Sequence, residues 1–184
     1  MISRIVKTYL KVSKIRFGKG CSFYGFPIIH KHKSSNISIG NSLTVRSSFL
    51  SNMLGLYQRT IIIARKEASI TIGNNVGISG ATIYARKSII IGSYTNVGGN
   101  TKILDNDFHP INPVDRKLDD KDKIKSKEII IGENVFIGCN SIILKGTVIG
   151  DNSVVGAGSV VSGKFPSNVV IAGNPAKILK KIEV

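Results

Sequence analysis

An all-β fold, in which short parallel strands coil around one axis, is what this sequence predicts, and three features predict it. The first is a repeat of six: from Ile131 the chain divides into IGENVF, IGCNSI, ILKGTV, IGDNSV, VGAGSV and VSGKFP. The second is a column of turn residues in the fourth place, Asn134, Asn140, Gly146, Asn152 and Gly158. Both residue types accept a positive φ at little cost. The third is a pair of columns suited to a narrow interior. The first place holds Ile131, Ile137, Ile143, Ile149, Val155 and Val161, and the fifth holds Val135, Ser141, Thr147, Ser153 and Ser159.

These columns imply a closed coil. A strand of a few residues that ends in a turn every six must wind, and alternation along it points the first and fifth places the same way. Three sixes make one triangular coil of about eighteen residues, and coils stack by parallel pairing about 4.8 Å apart. Glycine in the second place (Gly132, Gly138, Gly150, Gly156) relieves crowding near a corner. The pattern recurs upstream as IGNSLT from Ile39, IGNNVG from Ile72 and IGSYTN VGGNTK from Ile91. Between Val45 and Ile70 it is disturbed by RSSFLSNMLGLYQRT, which reads as a loop or a distorted coil. A sandwich with frequent turns would not keep six consecutive units in register.

Ahead of the coils, Ile2–Ile15 (ISRIVKTYLKVSKI) reads as a short basic amphipathic helix, expected as an end cap for the fold, with a membrane-surface role as the alternative. The same region lacks the sustained apolar stretch and small-residue cleavage site of a secretory signal, and apolar runs such as IIIA are too short to span a bilayer. A cytoplasmic protein is expected. The formal net charge of +15 favours acidic partners such as nucleotide phosphates or anionic polysaccharide. Nucleic acid is not expected, because the basic residues are scattered and no recognised binding motif is present. Cys21 and Cys139 have neither metal nor redox spacing.

The repeat breaks at ILDNDFHPINPVDRKLDDKDKIKSK, residues 103–127, which contains six of the eleven acidic residues and one of three histidines, His109. A rigid coil can extrude such a loop at a corner without disturbing the stack, and functional groups concentrate on loops held this way. His109 lies near the loop's base between Phe108 and Pro110. His30 and His32 read as surface residues.

The [Ile/Val]-Gly-x-x-small-x repeats, VVGAGSVV and the closing AGNPAKILKKI together resemble the bacterial hexapeptide-repeat acyltransferases, closest to the sugar and capsular-polysaccharide O-acetyltransferases. Parallel crossovers are nearly always right-handed, so it is the resemblance that implies the opposite hand. The expected fold is a left-handed parallel β-helix of hexapeptide repeats with an extruded loop and short terminal helical segments. It forms one domain over residues 1–184: a cap region at 1–35, the β-helix at 36–173 with its loop at 105–127, and a tail at 174–184. The resemblance further implies a homotrimer using acetyl-CoA as acyl donor and a saccharide acceptor, in surface or capsular polysaccharide biosynthesis.

Residue by residue, the resemblance makes His109 the general base, with Asp105 or Asp107 orienting its ring. Cys139 would approach the thioester through its main chain, and Ala157, Gly158 and Ser162 would line the pantetheine arm. Lys164, Lys177 and Lys180 fall near the nucleotide, and Ser79 near the acceptor. The disturbed stretch around Asn52 and Tyr57 would shape the acceptor pocket. No metal is expected, since a zinc-dependent carbonic anhydrase on this scaffold needs three converging histidines. Two alternatives stay open: N-acetylation of an amino sugar, and a non-catalytic β-helix that binds polyanions.

Overall fold

The structure, a computed structural model, describes residues 1–183. Its strands form three sheets, of seven, eight and six strands, and within each sheet successive strands come from successive coils and pair in parallel, apart from the antiparallel last strand of the eight. The three sheets are the faces of a triangular rod. On the first face Phe17, Ile39, Ile72, Ile91, Ile131, Ile149 and Phe165 lie in register. On the second, Phe23, Val45, Ile78, Val97, Ile137, Val155 and Ile171 do. On the third, Ile29, Ile62, Ile83, Ile103, Ile143 and Val161 do. All but the two terminal phenylalanines of the first face, Phe17 and Phe165, are buried in the core, and the whole interior is one apolar cluster. β-Branched side chains suit this stacking, since each ladder repeats one rotamer on a pleated surface.

The three columns behave as the six-residue period requires. Residues in the first and fifth places from Ile131 to Val161 are buried. Asn134, Asn140, Gly146, Asn152 and Gly158 all have positive φ, between 51° and 80°. The buried hydroxyls are satisfied locally: Thr101 donates to the Gly138 carbonyl, Ser141 and Ser159 to Gly156, and Thr147 to Val161. Each bond occupies a corner carbonyl that the ladder leaves free.

Two expectations about the ends need correction. Coiling begins at Arg16, within the expected cap region, because Arg16–Phe17, Ser22–Tyr24 and Ile28–Lys31 already pair in parallel with the next coil. Only helix α1 (Ile2–Val12) lies outside it, covering the first coil with Val6 and Leu10. The expected C-terminal helical segment is a strand. After the turn at Asn174 and Pro175, Ala176–Lys181 folds back antiparallel on Val169–Gly173. The last coil would otherwise present an unpaired row of N–H and C=O groups, and the returning strand closes it. Among the described residues no helix is long and apolar enough to cross a membrane.

The rod is interrupted twice. Residues 47–60 leave the corner between the second and third faces and contain a short 3-10 turn, Phe49–Ser51. Residues 105–128 leave the corner between the third and first faces and contain helix α2 (Pro113–Lys117), whose first turn is capped by the Asn112 side chain.

Candidate active site

The base of the second excursion is held closed. Asn106 bridges Ser126, the Asp107 N–H donates to the Lys125 carbonyl at 3.1 Å, and the Lys127 N–H donates to Asp105 at 2.8 Å. Phe108 has φ 60°, a left-handed conformation that is uncommon for a bulky aromatic residue. Asn106 Oδ1 accepts its N–H at 2.9 Å, and its ring packs on Tyr84 with centroids 4.9 Å apart. Strain of this kind persists only where the surroundings over-determine it, and it clusters at functional sites. The next residue is His109, whose N–H turns back to the Asp107 carbonyl at 2.7 Å while the residue stays exposed.

The two candidate carboxylates divide sharply. Asp105 is completely buried, and both its oxygens are taken: Oδ1 by the Arg86 N–H at 2.8 Å and the Asn106 amide at 3.2 Å, Oδ2 by the N–H groups of Lys87 at 2.7 Å and Ser88 at 2.9 Å. It ties the loop to the preceding coil and does not orient His109, which corrects that expectation. Burial raises its pKa above the usual 3.8, against the opposing donors of Arg86, Lys87, Asn106 and Ser88. Asp107 pairs with Lys145 through Oδ1 at 2.6 Å. Its Oδ2 is buried and, among the described residues, has no hydrogen-bond partner.

A groove of about 750 Å³ runs along the second face. Ser79, Cys139 and Ala157, expected at the site for three separate reasons, all line it, as do Asn52 and Leu54 from the first excursion. Asn100 secures that excursion, accepting the Tyr57 N–H and donating to the Gly55 carbonyl. Its role was not foreseen, although it occupies the turn place of the VGGNTK unit. Arg46, Asn96 and Phe136 also line the groove without having been singled out. They face outward, where the six-residue period places no constraint on residue type.

Along one wall the corners of three successive coils bring the N–H groups of Gly99, Cys139 and Ala157 into the groove's lining, Ala157 exposed, Cys139 half-buried and Gly99 buried beneath Leu54 and Leu56. Their neighbours Gly98, Asn100, Gly138, Asn140, Gly156 and Gly158 each donate to a carbonyl, and no carbonyl among the described residues meets these three. Unpaired amides at the spacing of stacked coils suit a ligand with acceptor atoms strung along an apolar chain.

The remaining candidates do not join the groove. Gly158 and Ser162 are exposed, and Ser162 sits at the corner from which the His109 loop departs. Lys164 is on the first face, whereas Lys177 and Lys180 are exposed on the returning strand of the second. His109 thus stems from the corner opposite the grooved face, so His109 and the groove lie on different sides of the rod.

Residues 128–163 match the family described as bacterial transferase hexapeptide (six repeats). No curated protein matches the chain by sequence. Among solved structures, an N-acyltransferase of Bacillus cereus, AntD, in complex with dTDP-4-amino-4,6-dideoxyglucose and coenzyme A is 21% identical, with TM-score 0.69 over 97% of this chain and 89% of that one. A galactoside acetyltransferase in complex with coenzyme A is 25% identical, with TM-score 0.61 over 100% and 74%. The polySia-specific acetyltransferase NeuO is 24% identical, with TM-score 0.60 over 92% and 88%. Residues 128–163 thus carry the bacterial transferase hexapeptide repeat, and over nearly its whole length the chain is similar in fold to these acyltransferases.

Proposed function

We propose that this protein is an acetyl-CoA-dependent acetyltransferase that modifies a hydroxyl of a saccharide in surface or capsular polysaccharide biosynthesis. The observation that carries the reading is the apolar groove with three unpaired amides in a column. Pantetheine is a narrow, largely apolar arm with two amide carbonyls and a thioester, and the unpaired N–H groups of Cys139 and Ala157, one coil apart, would serve it as donors. Coenzyme A bound to the galactoside acetyltransferase and to AntD supports the same ligand here. The reaction belongs in the cytoplasm, where acetyl-CoA is supplied.

The reading includes a left-handed coil and a homotrimer. Two half-sites on opposite sides of each rod fit an active site assembled between neighbours, with the His109 loop of one chain facing the groove of the next. Ala157 and Cys139 would flank the pantetheine arm. Lys177 and Lys180, on the grooved face, would meet the nucleotide phosphates, with Lys164 and Ser162 contributed from the adjoining chain's exposed edges. Ser79 would contact the acceptor.

In the chemical step neutral His109 accepts the proton of the acceptor hydroxyl as its oxygen attacks the thioester carbonyl. The tetrahedral intermediate places its oxyanion against a corner amide such as that of Cys139. Collapse breaks the carbon–sulfur bond, and the departing CoA thiolate receives the proton from the imidazolium. The acyl group never resides on the protein. Asp107, with one buried oxygen unpartnered, would be the carboxylate that stabilises the imidazolium.

The similarity to AntD, an N-acyltransferase, favours one second reading, transfer to the amine of an amino sugar. Mild base separates the two products, since it strips esters and leaves amides.

Calorimetric titration with acetyl-CoA tests the proposal without knowledge of the acceptor. Saturable binding near one site per chain, weakened with dephospho-CoA and abolished in Ala157→Trp, is expected. A folded protein that binds no acetyl-CoA at millimolar ligand refutes it. Loss of the base in His109→Ala should lower turnover by about 10²–10⁴ with acetyl-CoA binding retained.

A further inference from the structure

Helix α1 leaves part of its apolar surface uncovered. Val6 and Leu10 pack on the first coil, and the residues on the opposite side of the helix are exposed. At 100° per residue that outward side centres on Thr8, with Ile5 and Val12 along one edge and Arg4 and Lys11 along the other. Ile5 is 51% exposed and Val12 78%. The same end of the rod also presents Leu50, 83% exposed, which shares a hollow with Met1 and Ile2. Isolated exposed apolar residues are ordinary; a set gathered at one end around a helix is not.

The charge at this end is one-sided. The first acidic residue of the chain is Glu67, and twelve lysines and arginines precede it, so most of the net +15 lies in the first third of the sequence. Beside α1, Lys7, Lys11, Arg16 and Lys19 line a single hollow with no carboxylate in its lining. None of the three salt bridges among the described residues involves a residue before Lys66. These cations are therefore not neutralised within the protein.

From this end-on arrangement we propose that α1, with Leu50 beside it, docks the first coil's end of the rod onto an anionic lipid bilayer. An apolar edge enters the headgroup boundary while the flanking lysines and arginines meet lipid phosphates, the division of labour of interfacial helices. A helix of 11 residues with two insertable apolar side chains, Ile5 and Val12, binds weakly by itself. In a homotrimer with parallel rods three such ends share one plane, and avidity raises the apparent affinity. Docking would hold the candidate site above a membrane surface, where an acceptor saccharide carried on a lipid would be met. That last consequence rests on the transferase reading; the docking does not.

Co-sedimentation of the full-length protein with vesicles is the test, because it requires neither acetyl-CoA nor an acceptor. Binding to mixed phosphatidylcholine–phosphatidylglycerol vesicles is expected, with little binding to phosphatidylcholine alone and steep loss with added salt. Ile5→Glu/Val12→Glu, and separately Lys11→Glu/Arg4→Glu, should each reduce the bound fraction by about tenfold or more. All four positions are at the surface, and circular dichroism with a sizing column checks that each variant folds and assembles as the parent does. Three results overturn the proposal: no sedimentation with anionic vesicles, equal sedimentation with neutral ones, or unchanged binding by Ile5→Glu/Val12→Glu. A change of oligomeric state in that variant also overturns it, by assigning the apolar edge to a second copy of the chain. Failure here leaves acetyl-CoA binding untouched, and failure of acetyl-CoA binding leaves vesicle docking intact.

Discussion

Replacing Asp105 by alanine separates a structural carboxylate from a catalytic one. In the native chain it satisfies three consecutive main-chain donors, Arg86, Lys87 and Ser88, and the amide of Asn106. Truncation orphans the three N–H groups next to a fully buried position. At about 1–1.5 kcal/mol for each buried unpaired donor, the loss is about 3–4.5 kcal/mol. Relief from burying the carboxylate itself offsets about 1 kcal/mol, so a net destabilisation of about 3 kcal/mol is expected. For a chain of this size that lowers Tm by about 6–12 °C. Asp105→Asn supplies one acceptor oxygen and turns an NH₂ toward the other donors, so about half the loss should return. The assay is urea unfolding at fixed protein concentration, paired with acetyl-transfer kinetics well below each variant's midpoint. Stability should fall in the order wild type, Asn, Ala, while kcat/KM of the folded fraction stays within about threefold, as for a residue outside the chemistry. An Asp105→Ala protein as stable as wild type but about 10²-fold or more slower would refute the reasoning and return Asp105 to the catalytic group.

Three further outcomes are expected. The Asp105 carboxyl titrates above its ordinary 3.8 in the folded chain, so the folded state keeps its proton to higher pH and ionisation opposes folding. The stability of wild type relative to Asp105→Asn should therefore be greatest below pH 3.8, decline as pH rises to the raised value and stay level beyond it, as read from urea midpoints across that range. Ile103→Ala opens a cavity in the middle of the third-face ladder, where the side chain is completely buried, and should cost about 2–5 kcal/mol in the same unfolding assay. Gly92→Ala would bring a methyl carbon within 2.6 Å of the Glu133 nitrogen and closer to the Gly132 carbonyl. Coils cannot separate locally without breaking ladder bonds, so soluble yield or Tm should drop sharply, whereas Gly55→Ala, with open space around it, should lose only the smaller penalty of its positive φ.

The coil was legible in the sequence because its information is local and repeated. Each six specifies its own turn and its own inward pair, and a strand's partner always lies one coil away, so the buried columns and positive-φ sites follow from spacing alone. The break at His109 was legible for the same reason, as an interruption of a regular signal. Ser79, Cys139 and Ala157 were reached by resemblance, and their meeting in one groove required the faces to be assembled.

What spacing does not carry, only the tertiary structure decided. Asp105 and Asp107 sit two apart in one loop and look alike as residues. One turns inward to the Arg86–Ser88 main chain, a coil earlier, and the other outward to Lys145, a coil later. That difference arises from the alternation of side chains at a corner together with which coil lies above and below. The C-terminal AKILKK becomes a strand because the exposed edge of the last coil needs hydrogen-bond partners, a demand made by the finished stack. The outward residues that line the groove and the uncovered edge of α1 are likewise free of the repeat. Their chemistry is written in the sequence, but which of them become neighbours is settled by the closing of three faces around one axis.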